Sequence, residues 1–160
     1  MSQVGQILEE RSLVVNKKPV VIYTDGACSH NPGPGGWAAL LMYQGKEKMV
    51  SGYVADTTNN RMELQAAISG LKSLKGSRVV DLWTDSQYVR RGMIEWLPGW
   101  AANGWKNAQK KDIKNKDLWV ELWTLAQKHQ VKWHWVKGHS GDEYNERVDE
   151  AARKAIEDHR

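Results

Sequence analysis

A chain of 160 residues, 41% hydrophobic and 26% charged, fits one ordinary globular domain with a proper buried core. It lacks any apolar run near the ~18 residues of a membrane span, its single cysteine, Cys28, excludes an intrachain disulfide, and Glu9 and Glu10 interrupt the segment where a signal peptide would need an apolar centre. A cytoplasmic protein is expected. The net charge of +4 sits in one place: between Trp96 and Lys116 five lysines face a single acid, Asp112, while acids and bases cancel over the remainder. A localised basic patch is the footprint of a polyanion binder, although a solvated lysine-rich loop gives the same count.

In chain order, residues 1–18 read as a weakly structured leader and 19–158 as the domain. Val20 to Thr24 is a β-branched strand, and Asn31-Pro32-Gly33-Pro34-Gly35-Gly36 reads as a turn. Trp37–Tyr43 and Lys48–Val54 form a hairpin about Gln44-Gly45-Lys46. A helix is predicted from about Asn60 to Leu74, with Leu64, Ala67, Ile68 and Leu71 at helical spacing. Val79–Thr84 is a second buried strand, and Ser86 starts a helix through about Ile94. After the Trp-rich basic stretch come a helix from about Asp117 to Lys128, a strand Val131–Val136, a loop Gly138-His139-Ser140-Gly141 and a closing helix Tyr144–Ile156. A hairpin-rich start followed by βαβ crossovers implies an α/β protein whose mixed sheet carries helices on its faces.

Two distant stretches read alike: Tyr23-Thr24-Asp25-Gly26 and Trp83-Thr84-Asp85-Ser86. If both strands point the same way as neighbours ~4.8 Å apart, their aspartates emerge side by side, a spacing suited to paired catalytic metal ions ~3.5–4 Å apart. Each acid also has a plainer explanation: Asp25 as a turn residue before Gly26, Asp85 as a helix N-cap. Glu63 is either a third ligand or the far end of an Asn60-x-x-Glu63 capping box. Asp149 is either a ligand or part of the solvated face with Glu146 and Glu150. His139, between glycines, is either a proton carrier or an inert surface residue.

Taken together, Thr24-Asp25-Gly26, the Asn31–Gly36 run, Thr57-Thr58-Asn59-Asn60-Arg61-Met62-Glu63-Leu64, Thr84-Asp85-Ser86-Gln87-Tyr88-Val89, Val136–Gly141 and Asn145–Glu150 resemble the bacterial type 1 ribonuclease H family over about Val20 to Ala155. The resemblance implies a ribonuclease H-like fold, a five-stranded mixed sheet flanked by helices on both faces with its first and fourth strands parallel neighbours. It implies that Asp25, Glu63, Asp85 and Asp149 ligate two Mg2+ ions, which Mn2+ could replace. The reaction implied is cleavage of the RNA strand of an RNA–DNA hybrid, leaving 5′-phosphate and 3′-hydroxyl ends, with His139 assisting proton transfer or product departure.

The resemblance also assigns substrate contacts. Asn31, Asn59, Asn60 and Gln87 match positions that touch sugars or base edges in the hybrid minor groove, where 2′-hydroxyls are displayed, and Cys28 matches a backbone contact. Trp96, Trp100 and Lys106 would lie along the DNA strand, with Thr58 and Asn103 gripping one of its phosphates; Trp105 is expected to share that surface while packing mostly structurally, like Trp119 and Trp123. A monomer is expected. The chain departs from the pattern at Ala101-Ala102-Asn103, where relatives carry a basic cluster, and at Asp56, where an arginine is common. Weaker hybrid binding with intact chemistry is predicted. Rival readings are a non-catalytic hybrid-binding module and a nuclease of the same fold acting on DNA junctions.

Overall fold

The structure, a computed structural model, describes residues 18–159. The leader expected at 1–18 therefore lies outside the described residues except for Lys18. Five strands, β1 (Val20–Cys28), β2 (Gly33–Tyr43), β3 (Lys46–Thr57), β4 (Val79–Thr84) and β5 (Gln130–Trp135), form one sheet in the order β3-β2-β1-β4-β5. The first three pair antiparallel; β1 with β4 and β4 with β5 pair parallel. Helix α1 (Asn59–Lys72) joins β3 to β4, and α2 (Gln87–Arg91), α3 (Leu97–Ala102) and α4 (Lys116–Gln127) join β4 to β5. Helix α5 (Glu143–Glu157) closes the chain.

Strand alternation sends Val20, Ile22, Val80 and Leu82 to one face, where they bury against Leu64, Ile68 and Leu71 of α1 and Trp119 and Leu122 of α4. Tyr23, Ala38 and Leu40 go to the other face and meet Val148 and Ala152 of α5. Asp25 continues the Val21–Tyr23 alternation, so β1 carries it on the face covered by α5.

Two sequence expectations need correction. Asp25 does not end its strand: β1 runs on to Cys28, and Gly26 is a ladder residue opposite Trp37. Gly33–Gly36 is likewise the start of β2, not a turn, with a register shift at Gly33/Gly35. These glycines serve close approach. A Cβ on Gly26 would collide with the main chain of Met62 and Glu63, and one on Gly36 with the Ala152 carbonyl. Composition suggested turns; the close approach of α1 at Gly26 and of α5 at Gly36 is the reason for the residue type there.

The helix predicted for Ser86–Ile94 is also longer. It passes from α2 through one π-helical turn, Gly92–Trp96, into α3. Pro98, which would break a regular helix interior, follows the π-helical turn directly, as the second residue of α3. Gly92 lies flat on the fully buried Trp119, whose ring a side chain there would strike.

Candidate active site

Parallel pairing of β1 with β4 sets Thr24 opposite Thr84, so Asp25 and Asp85 leave the register one step later on neighbouring strands. The two threonines are buried beneath them. Thr24 Oγ1 donates to the Trp83 carbonyl at 3.4 Å, and Thr84 Oγ1 accepts from Ser86 N–H at 3.0 Å, turning the chain out of the sheet. Ser86 then caps α2 by accepting from Val89 N–H at 3.1 Å. Asp85 is therefore not the N-cap, and its carboxylate is free.

Glu63 arrives from α1. The N-cap of that helix is Thr58, whose hydroxyl accepts from Arg61 N–H at 3.3 Å. The Asn60–Glu63 capping box is not formed: Glu63 Oε1 accepts from Gly26 N–H on β1 at 2.9 Å. The helix end is so close to the strand that this bond reaches across it. Glu63 Oε2 is buried with no hydrogen-bond partner, a condition that costs free energy unless something cationic or protic meets it.

One oxygen from each of Asp25, Glu63 and Asp85 lies within 4.8 Å of the other two. Desolvation lifts the Asp25 carboxyl far above the ordinary range, with the Glu63 and Asp85 charges adding to the rise. Glu63 is also raised, by burial and by the Asp85 charge, and the hydrogen bond from Gly26 N–H offsets part of the effect. Crowding buried acids without a cation is unfavourable. Three hard, anionic oxygen donors with one orphaned atom fit a small divalent ion.

Asp149 reaches the same open cavity of about 380 Å³ from α5, at its more exposed side and paired to Arg153 at 2.9 Å. It stands close enough to Asp25 to contribute to the rise of that group. Cys28, Asn59, Ser86 and His139 also line the cavity. His139 is exposed in a left-handed backbone conformation, φ 57°, at the tip of its loop. Asn31 stands beside Asn59, whose N–H donates to Asn31 Oδ1 at 3.3 Å, while Asn60 and Gln87 are exposed in the first turns of α1 and α2.

A second, wider cavity of about 730 Å³ gathers Trp96, Trp100, Asn103 and Lys106 on the basic segment. Trp119 is fully buried, its indole N–H donating to Tyr88 Oη at 2.9 Å, and Trp105 and Trp123 pack edge to face as half-buried residues. Sequence reasoning missed the strut that holds this segment. Arg61 makes two bonds to Asp117, at 2.7 and 2.9 Å, and one to Asn115 at 3.3 Å, and Asn115 donates to Tyr88 Oη at 3.0 Å. Only the left-handed conformation of Asn115, φ 61°, hinted at a special position, and no pattern in the sequence shows it.

A mixed sheet of this order, with carboxylates from β1, α1 and the end of β4 gathered at one point, is a scaffold suited to metal-dependent chemistry. The ribonuclease H family profile matches residues 17–157. The chain is 56% identical over 144 residues to the ribonuclease H of Francisella philomiragia, covering 90% of this chain and 95% of that one. It is 55% identical to the ribonuclease H of Wolbachia pipientis, covering 90% and 99%. The crystal structure of LC9-RNase H1, a type 1 ribonuclease H, superposes with a TM-score of 0.80 at 33% identity over 89% of this chain and 74% of that one. This chain belongs to the ribonuclease H family, metal-dependent endonucleases that hydrolyse the RNA strand of RNA–DNA hybrids.

Proposed function

We propose that cleavage by this chain uses two Mg2+ ions, replaceable by Mn2+, held among Asp25, Glu63, Asp85 and Asp149, and leaves 5′-phosphate and 3′-hydroxyl ends. Bound there, the ions would activate the attacking water and stabilise the leaving oxygen. Asp25 and Glu63 supply buried anionic oxygens, so their deprotonation is coupled to cation binding. Asp85 and Asp149 complete the set from the solvent side. His139, on its exposed loop, carries a proton to or from the reacting ester or helps the product leave.

Asn31, Asn59, Asn60 and Gln87 read the minor groove with amide groups that both donate and accept, beside the backbone contact at Cys28. The DNA strand lies along Trp96, Trp100 and Lys106, with one phosphate held by Thr58 and Asn103. The catalytic unit is residues 19–158, with 1–18 as a leader, acting as a cytoplasmic monomer. Among the described residues no helix is long and apolar enough to cross a membrane.

The observation that supports this reading most is the buried Glu63 carboxylate, which keeps an orphaned Oε2 and lies within 4.8 Å of two further carboxylates. A labelled duplex with a single ribonucleotide stretch in DNA tests it: cuts confined to the ribose stretch and dependent on Mg2+ are expected. Cutting of all-DNA duplex, or cutting without divalent ions, would contradict it.

A further inference from the structure

Asp85 is held differently from the two buried acids. Asp25 lies inside β1 and Glu63 inside α1, each fixed by regular backbone bonds. Asp85 falls between the last residue of β4 and the helix cap Ser86, outside both elements. Its main-chain carbonyl accepts a hydrogen bond from the indole Nε1–H of Trp135, at 3.1 Å.

Trp135 ends β5 and remains 39% exposed, whereas Val131 and Trp133 earlier in the strand pack against the core. Its indole is more exposed than either of those side chains, and the bond to Asp85 is its distinguishing contact. The next residues continue the bracket. Val136 N–H donates to the Thr84 carbonyl at 3.0 Å, and Gly138 lies so close to Asp85 that a Cβ there would stand 2.9 Å from Oδ2. His139 follows at once and lines the same cavity.

The tilt of a peptide sets where the side chain before it points, and a ligand set loses affinity when one member strays by more than ~0.5 Å. We propose that Trp135 is a positioning residue: its indole N–H fixes the Asp85 peptide and thereby aims the Asp85 carboxylate at the cation shared with Asp25 and Glu63. The inference rests on the metal reading above and assigns a role to a residue that carries no charge and coordinates nothing.

Trp135→Phe keeps an aromatic ring and removes the donor. The Mg2+ concentration for half-maximal cleavage is expected to rise ~3–10-fold, the effect of losing one ordinary hydrogen bond. The Mg2+ concentration for half-maximal thermal stabilisation of the free protein should rise by the same factor, with hybrid KM and kcat at saturating Mg2+ within about twofold. Trp135→Met, without ring or donor, should shift equally, while Trp123→Phe, which alters the indole packed on Trp105, should leave the metal dependence in place. Unmoved metal dependence in the Phe variant overturns the proposal, as does a shift in Met alone, which would assign the effect to the ring. A rise in KM with unmoved metal dependence also overturns it and makes Trp135 a substrate platform. If Mg2+ fails to stabilise even the unaltered protein, the metal site itself falls, and that outcome is distinct from a failure confined to the variants.

Discussion

The carboxylate cluster and the Trp–lysine segment are built in opposite ways. Asp25 and Glu63 are 3% and 8% exposed and come from a strand and a helix pressed together at Gly26. The lysines between Trp96 and Lys116 stand largely in solvent, and two of them, Lys106 and Lys116, share Asp112 at 2.7 and 3.3 Å. In the first region, packing holds like charges together against their repulsion. In the second, opposite charges and one polar strut hold an open surface against solvent. Chemistry that needs fixed oxygen positions uses regular backbone, and polyanion contact tolerates a screened, adjustable surface.

The largest expected effect breaks the first region. Asp25→Asn should lower cleavage by at least about a thousandfold, several kcal/mol of lost transition-state stabilisation, while hybrid binding persists in a gel-shift assay. The same substitution should raise the thermal midpoint of the metal-free protein at neutral pH. The sign follows from the raised carboxyls: their favourable contribution is complete below the ordinary values of ~4 and is lost as pH rises, through about 8 for Glu63. Melting curves of the metal-free protein from acid to mildly alkaline pH should therefore show a decline that Asp25→Asn flattens and Mg2+ reverses.

Gly26→Ala comes next. Its methyl group has no space beside Glu63, so a loss of about 1–3 kcal/mol in denaturant unfolding is expected, with a parallel rise in the Mg2+ required. Asp117→Ala cuts the strut between α1 and α4. Its partly exposed pair with Arg61 is worth about 1 kcal/mol at most, and the sharper readout is a higher hybrid KM with little change in kcat. The smallest effect is expected from Asp112→Asn, which releases Lys106 and Lys116. Hybrid affinity at low salt should rise by roughly two- to fivefold, and the salt slope should steepen by up to ~0.9 for each lysine that gains a phosphate. An unchanged slope would mean that neither lysine meets the substrate.

How much of this was legible beforehand differs between elements. The two β-branched runs were legible as strands because strand period is written locally; their parallel pairing was only a condition attached to the Thr–Asp echo, and the family resemblance supplied it. The stripe Leu64–Leu71 placed α1, and the charge count located the basic segment. The errors fell where a residue has two uses. Gly26 and Gly33–Gly36 looked like turns, since composition cannot separate glycine chosen for a bend from glycine chosen for an approaching helix. Asn60 looked like a cap because it stands three residues before a glutamate, yet Thr58 holds the helix end and Glu63 bonds across to the strand.

Sequence by itself therefore determined the element types and the location of the positive charge, consequences of local periodicity and residue chemistry, while the choice of Glu63 and Asp149 among its acids came only from the family resemblance. Tertiary structure alone decided that Asp85 is released from capping, that Glu63 keeps an unpaired oxygen, and that Trp135 and Gly138 flank Asp85 from fifty or more residues away. Those outcomes depend on distances between segments remote in the chain, which the folded packing sets and no local pattern records.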